Sequence, residues 1–174
     1  MAEPLFMLDT DTCIFILRRS SPVLLSKIQA VPLRQQVISA VTYAELLYGV
    51  QQTSRKKESK VAVDALIRHL EVLEWPIGAA EHYAEIRSTL KQKGQLIGAN
   101  DLLIAAHARS IGAVMVTNNV KDFSRVKALN VDNWTKYSAT NIFSGLNFEI
   151  RAVMCFDQLI ILFGASSEGG FCLD

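Results

Sequence analysis

The sequence has little of what marks several common protein classes. Three cysteines, Cys13, Cys155 and Cys172, stand in 174 residues, with no CxxC pair and no Cys/His ligand spacing. That argues against a disulfide framework and against a zinc site, and fits reduced thiols in a cytoplasm. No Gly-rich phosphate loop is present, so nucleotide binding has no motif behind it. Met1-Ala-Glu-Pro opens the chain without a basic region before an apolar run, which is not the pattern of a signal peptide. The apolar run Leu159-Ile-Ile-Leu-Phe-Gly-Ala is too short to span a bilayer, and Arg151 and Asp157 interrupt any extension of it. Net charge is also scarce, at +1. It is uneven: residues 135–174 hold two bases and four acids, so the first 134 carry a surplus of bases over acids, 16 to 13.

What the chain has is apolar residues, half of the total, and a regular alternation of two patterns. Leu5-Phe-Met-Leu, Val37-Ile-Ser-Ala-Val and Ala113-Val-Met-Val are short apolar runs, read as buried strands. A short strand or turn is expected at 72–77 and a last strand within 126–134. Between them lie helical patterns. One is a turn or short helix from Cys13. Another opens at Ser21-Pro22, with Ser as N-cap and Pro in the first turn. A third follows the capping-box pattern Thr42-Tyr-Ala-Glu45. Residues 51–60 read as a loop or solvated helix end and 61–73 as a helix. An amphipathic helix over 79–93 is closed by Gly94, and an apolar one runs over 98–110. Strands alternating with helices predict an α/β fold whose parallel sheet is covered on both faces. Residues 135–174 lack a readable period and are expected to be an appendage to a body of residues 1–134.

In such a fold the polar residues at the strand C-terminal ends gather in one crevice. Asp9, Glu45, Asn119 and Asp122 each follow a predicted strand, and Asp101 opens the helix at 98–110. Each has a plainer reading alone: a turn former, a capping-box glutamate, a helix cap, a solvated turn. Together they make a candidate divalent-metal site. Mg²⁺ and Mn²⁺ are hard ions that take carboxylate oxygens and waters, and a buried acidic cluster needs a cation to persist. Ions held this way activate water for phosphodiester hydrolysis. Arg18-Arg19 and Arg55-Lys56-Lys57 are candidate phosphate contacts, although charge runs are commonly just solvated. Thr10 and Thr117 are read as strand-end hydroxyls or as groups orienting a ligand. Ser39 and His107 are expected to be structural, and His69 and His82 to lie at the surface.

Four stretches in order, Met7-Leu-Asp-Thr-Asp11, Ile38-Ser-Ala-Val-Thr-Tyr-Ala-Glu-Leu46 with Gly49, Ile97-Gly-Ala-Asn-Asp-Leu-Leu-Ile-Ala-Ala-His-Ala108 and Val116-Thr-Asn-Asn-Val-Lys-Asp-Phe123 with Val126, resemble the PIN-domain ribonucleases. Within that family they are similar to the VapC toxins of type II toxin–antitoxin pairs. The likeness covers about residues 5 to 134. It implies a PIN-like fold with a central parallel sheet and a Mg²⁺- or Mn²⁺-dependent endoribonuclease. Asp9, Glu45 and Asp101 match the family's metal ligands. The fourth position falls in the stretch holding Asn119, with Asp122 as the nearby acid, and the resemblance leaves the choice open. It further implies an RNA substrate such as the anticodon loop of initiator tRNA, a homodimer, and a VapB-type antitoxin through which the pair reaches operator DNA. The chain departs from the family in residues 135–174. They raise the alternative of a catalytically weak PIN-like protein that works by binding.

Overall fold

The computed structural model describes residues 3–136. The appendage expected beyond 134 therefore lies, except for Thr135 and Lys136, outside the described residues.

Five parallel strands form one sheet in the order β3-β2-β1-β4-β5: β1 Phe6–Leu8, β2 Gln36–Ser39, β3 Glu71–Leu73, β4 Val114–Val116 and β5 Val131–Asp132. The three central strands are short and almost wholly buried, so their side chains alternate between two covered faces. Met7, Val37 and Met115 point to one face, where they meet α5 (Ala79–Gln92), α6 (Ala99–Ser110) and Phe123 of α7 (Val120–Phe123). Leu8, Ile38 and Val116 point to the other, where they meet α1 (Thr10–Arg18), α2 (Pro22–Ala30), α3 (Ala40–Gln52) and α4 (Lys56–Ile67).

The chain leaves β1 toward β2 and β3 on one side, and β4 returns to pair with β1 on the other. The connections diverge where β1 meets β4, which leaves a crevice beyond the C-terminal ends of these strands. Asp9 and Thr117 are the first residues past those ends. The Asp9 N–H donates to the Val116 carbonyl at 3.0 Å.

Some local expectations change. Ser21 caps α2 as expected, accepting from the Leu24 N–H at 3.2 Å, and Gly94 takes the left-handed conformation (φ 63°) that ends α5. The capping box at Thr42 is absent. Ser39 caps α3 instead, accepting from the Val41 N–H at 3.2 Å, and Thr42 lies buried inside the helix. Glu45 is therefore in the helix body, free of any capping duty. The polar stretch at 51–60 holds the end of α3, a short turn and the start of α4. The helix read over 61–73 stops at Ile67, and Glu71–Leu73 is a strand. Val72 and Leu73 continue the helical apolar spacing only because they face the two cores as strand residues do. Among the described residues, no helix is long and apolar enough to cross a membrane.

Candidate active site

Asp9 lies at the centre of the crevice. It is the N-cap of α1, 4% exposed, and its two carboxylate oxygens have different donors. The Thr10 N–H donates to Oδ1 at 2.8 Å, and the Thr117 hydroxyl donates to Oδ2 at 2.8 Å. Thr117 in turn accepts from the Asn119 N–H at 2.9 Å, so strand β4 and the loop after it are tied to Asp9. These donors do not offset the cost of burial. Burial first, then the charge of Asp11, pushes the Asp9 carboxyl up to about 7, with Asp101 adding to the rise.

Glu45 reaches the crevice from α3. The Thr10 hydroxyl donates to its Oε2 and the Asn100 amide donates to its Oε1 at 2.9 Å. Asp101 comes from the third position of α6. Burial holds its carboxyl above the usual range, and the charges of Glu45, Asp122 and Asp11 act in the same direction. The charged neighbours that shift Asp9 and Asp101 are thus all acids.

Asn119 and Asp122 sit at the opening of α7 and form a pair. The Asn119 amide donates to Asp122 Oδ2 at 3.2 Å, and Arg125 neutralises Asp122 at 3.0 Å. The charge of Asp122 is nevertheless felt at Asp101.

Sequence reading missed Asp11 as a site residue. It accepts from the Asn118 N–H at 3.1 and 3.3 Å and lies 3.5 Å from the Thr117 hydroxyl, so it fastens α1 to the loop after β4. The available signal was its spacing two residues after Asp9, at the start of a helix. Thr10 and Thr117 prove to be donors to site carboxylates. Asn100, in the first turn of α6, directs its amide away from its own helix toward Glu45.

The remaining candidates lie elsewhere. Ser39 and His107 are buried and paired at 3.0 Å, bracing β2 against α6, and burial pulls the His107 imidazole below its ordinary value. His82 is half-buried and accepts from Arg109 at 2.8 Å. Arg109 stands eight residues beyond Asp101, roughly 12 Å along α6 at the usual helical rise. Arg18 and Arg19 close α1, and Arg55 precedes α4.

The residues suit a hard divalent cation. The donors are oxygens, the central carboxylate is buried, and its charged neighbours add to the negative potential. Among the described residues, no three His, Cys, Asp or Glu side chains stand close enough to chelate an ion as placed.

Gly98 is a sensitive point. It is the N-cap of α6 at φ −52°, a conformation any residue adopts, so the backbone does not require glycine. A Cβ there would stand 3.1 Å from Asp101 Oδ2 and 3.3 Å from its Cγ. Gly98→Ala is expected to displace the carboxyl by a few tenths of an ångström and to slow the RNA cleavage that the resemblance implies by about three- to tenfold. The loss of glycine at the cap and the lower entropy of the unfolded chain oppose each other, so stability should stay within about 1 kcal/mol. Single-turnover cleavage measured beside urea unfolding checks this, and equal cleavage by the two proteins would refute it.

A family model described as PIN domain matches residues 6–129. The chain is 35% identical over 133 residues to ribonuclease VapC2 of Rickettsia felis, covering 76% of this chain and 99% of that protein. It is 36% identical over 129 residues to the tRNA(fMet)-specific endonuclease VapC of Salmonella typhimurium, covering 74% and 97%. Among solved structures, it resembles DNA-bound VapBC from Salmonella typhimurium with a TM-score of 0.72 and 35% identity, over 76% of this chain and 99% of that one. VapBC2 from Rickettsia felis, bound to a promoter fragment, gives 0.70 and 33%, over 75% and 98%.

Proposed function

The chain belongs to the PIN-domain family and, within it, to the VapC ribonucleases; from that premise we propose a divalent-metal-dependent endoribonuclease that acts as the toxin of a type II toxin–antitoxin pair. The observation that carries the metal reading is the buried Asp9 carboxylate, raised by burial and by neighbouring acids rather than balanced by bases. A cation is what such a group calls for. Asp9, Glu45 and Asp101 would hold Mg²⁺ or Mn²⁺, with either Asn119 or Asp122 completing the site. An ion held there would supply an activated water and neutralise charge at the scissile phosphate. The protein's own residues keep the carboxylates aimed. Thr117 and the Thr10 N–H hold Asp9, the Thr10 hydroxyl and Asn100 hold Glu45, and Asp11 anchors the loop that carries Asn119.

RNA is the substrate class, and initiator tRNA the first molecule to offer, because a relative at 36% identity bears the name tRNA(fMet)-specific endonuclease. Structural neighbours that are VapBC complexes support a VapB-type antitoxin as partner, with operator DNA reached through the complex. A homodimer and a cytoplasmic location, where tRNA is found, complete the reading. The domain comprises residues 1–134, and residues 135–174 extend it. The relatives' nearly whole lengths correspond to about three quarters of this chain.

The test incubates the purified protein with initiator tRNA and with bulk RNA, in Mg²⁺, in Mn²⁺ and in EDTA, and sequences the new ends. Discrete cuts with either ion and none in EDTA are expected. RNA left intact in both ions by a folded protein would reject the ribonuclease reading. A chain ending at Lys136 that cuts while the full chain does not would make residues 137–174 inhibitory.

A further inference from the structure

Asn100 stands in the first turn of α6, close to where an asparagine commonly caps a helix. Here the capping position belongs to Gly98, which has no side-chain oxygen to offer. The Asn100 amide crosses instead from α6 to α3 and donates to Glu45 Oε1 at 2.9 Å. The other oxygen of Glu45 takes the hydroxyl of Thr10, from α1. A free glutamate side chain samples many rotamers, so fixing it has an entropic cost. Two donors from two different helices set both its position and the plane of its carboxylate.

The chemistry of the donors matters. A lysine or arginine would fix Glu45 as firmly, but would cancel the charge that a cation needs. A neutral amide and a hydroxyl fix it and leave the full negative charge and further lone pairs on each oxygen. Asn100 also adjoins Asp101, whose carboxyl feels the charge of Glu45. One turn of α6 therefore supplies one carboxylate and holds a second from another helix beside it.

We propose that Asn100 is a positioning residue of the active site: its amide, with the Thr10 hydroxyl, orients Glu45 toward the metal and holds it in register with Asp101. This rests on the reading of the crevice as a metal-dependent ribonuclease site. Partners that orient metal ligands typically contribute about ten- to a hundredfold in affinity or activity. Asn100 is exposed, so a direct contact with RNA is the competing role.

The experiment uses the full chain with four proteins: wild type, Asn100→Ala, Glu45→Gln and the double variant. Mn²⁺ binding is followed by calorimetry, and RNA cleavage by kcat and KM. Asn100→Ala is expected to weaken Mn²⁺ binding and lower kcat by about ten- to a hundredfold. KM for RNA and the melting temperature should be unchanged. In the Glu45→Gln background, the same substitution should cost less than about twofold, because the two residues act as a unit. A raised KM with Mn²⁺ affinity intact would overturn the proposal in favour of an RNA contact. Equal losses in both backgrounds would overturn it as well. Wild-type protein that neither binds Mn²⁺ nor cuts RNA would instead defeat the metal-site reading, and the proposal with it.

Discussion

Asp9→Asn is expected to stop RNA cleavage while making the protein more stable when divalent ions are absent. The loss of activity follows from removing the central anion of the proposed metal site. Metal-assisted charge stabilisation is worth several kcal/mol, so the fall should be on the order of a thousandfold. The gain in stability follows from the same burial that suits the site to a cation. In the folded protein the Asp9 carboxyl is raised from 3.8 to about 7. A raised acid is most compatible with folding when protonated. Its contribution is intact below about pH 4, declines as pH rises toward 7, and is gone above that. A rise of that size corresponds to about 4 kcal/mol as a ceiling. The substituted amide would still accept from the Thr10 N–H, and the Thr117 hydroxyl would turn to Asp11, which is already within 3.5 Å. Melting in EDTA should show little difference between variant and wild type near pH 4 and about 2–4 kcal/mol in favour of the variant at pH 8. Added Mn²⁺ should raise the wild-type midpoint and leave the variant nearly unmoved. A variant that melts below wild type at pH 8 in EDTA would show that the charge does not strain the fold.

The acids that frame this prediction were legible because parallel-sheet topology gathers strand ends. Asp9 and Asn119 could be placed from two apolar runs and the residues that follow them, and Asp101 from its position at the head of an apolar helix. Glu45 reaches the crevice although the local reason for expecting a helix start there, a capping box, is absent. The groups that orient the carboxylates were another matter. Thr10, Asn100 and Thr117 act on partners 35, 55 and 108 residues away, and nothing local distinguishes them from ordinary caps and turn residues. Asp11 was hidden for the same reason, since its partner is a backbone N–H far along the chain. The end of α4 was misplaced because buried Leu70 and half-buried Val72 and Leu73 lie beside and in a strand that preserves helical spacing by coincidence. The strand pattern and the gathering of these acids thus followed from periodicity and topology, while the clamps around them depend on contacts that only the fold creates.

Trp134→Ala should cost more stability than any substitution in the crevice, because its side chain is buried in the core beside β1. Trp134 follows the edge strand β5, is 2% exposed, and packs its ring on Phe6 of β1 with centroids 5.2 Å apart. Its indole N–H donates to Asp132 at 2.9 Å. Removing a buried tryptophan costs about 3–5 kcal/mol, a large share of the roughly 5–15 kcal/mol that holds a domain together. The effect should also reach the site. The Asp132 carbonyl accepts from the Thr117 N–H at 3.0 Å, and Asn133 and Thr135 both donate to the Asn118 side chain. The segment thus backs the loop that carries Thr117 and Asn119. The family match ends at residue 129, and Trp134 packs beyond it on Phe6 of β1. Urea unfolding should place the Trp134→Ala midpoint far below that of wild type, with Trp134→Phe between them because the ring contact to Phe6 survives. Cleavage by the Trp134→Ala protein should fall even at temperatures where it remains folded, since Thr117 loses its support before the sheet opens. Wild-type stability and cleavage in Trp134→Ala would place the boundary of the working domain before β5.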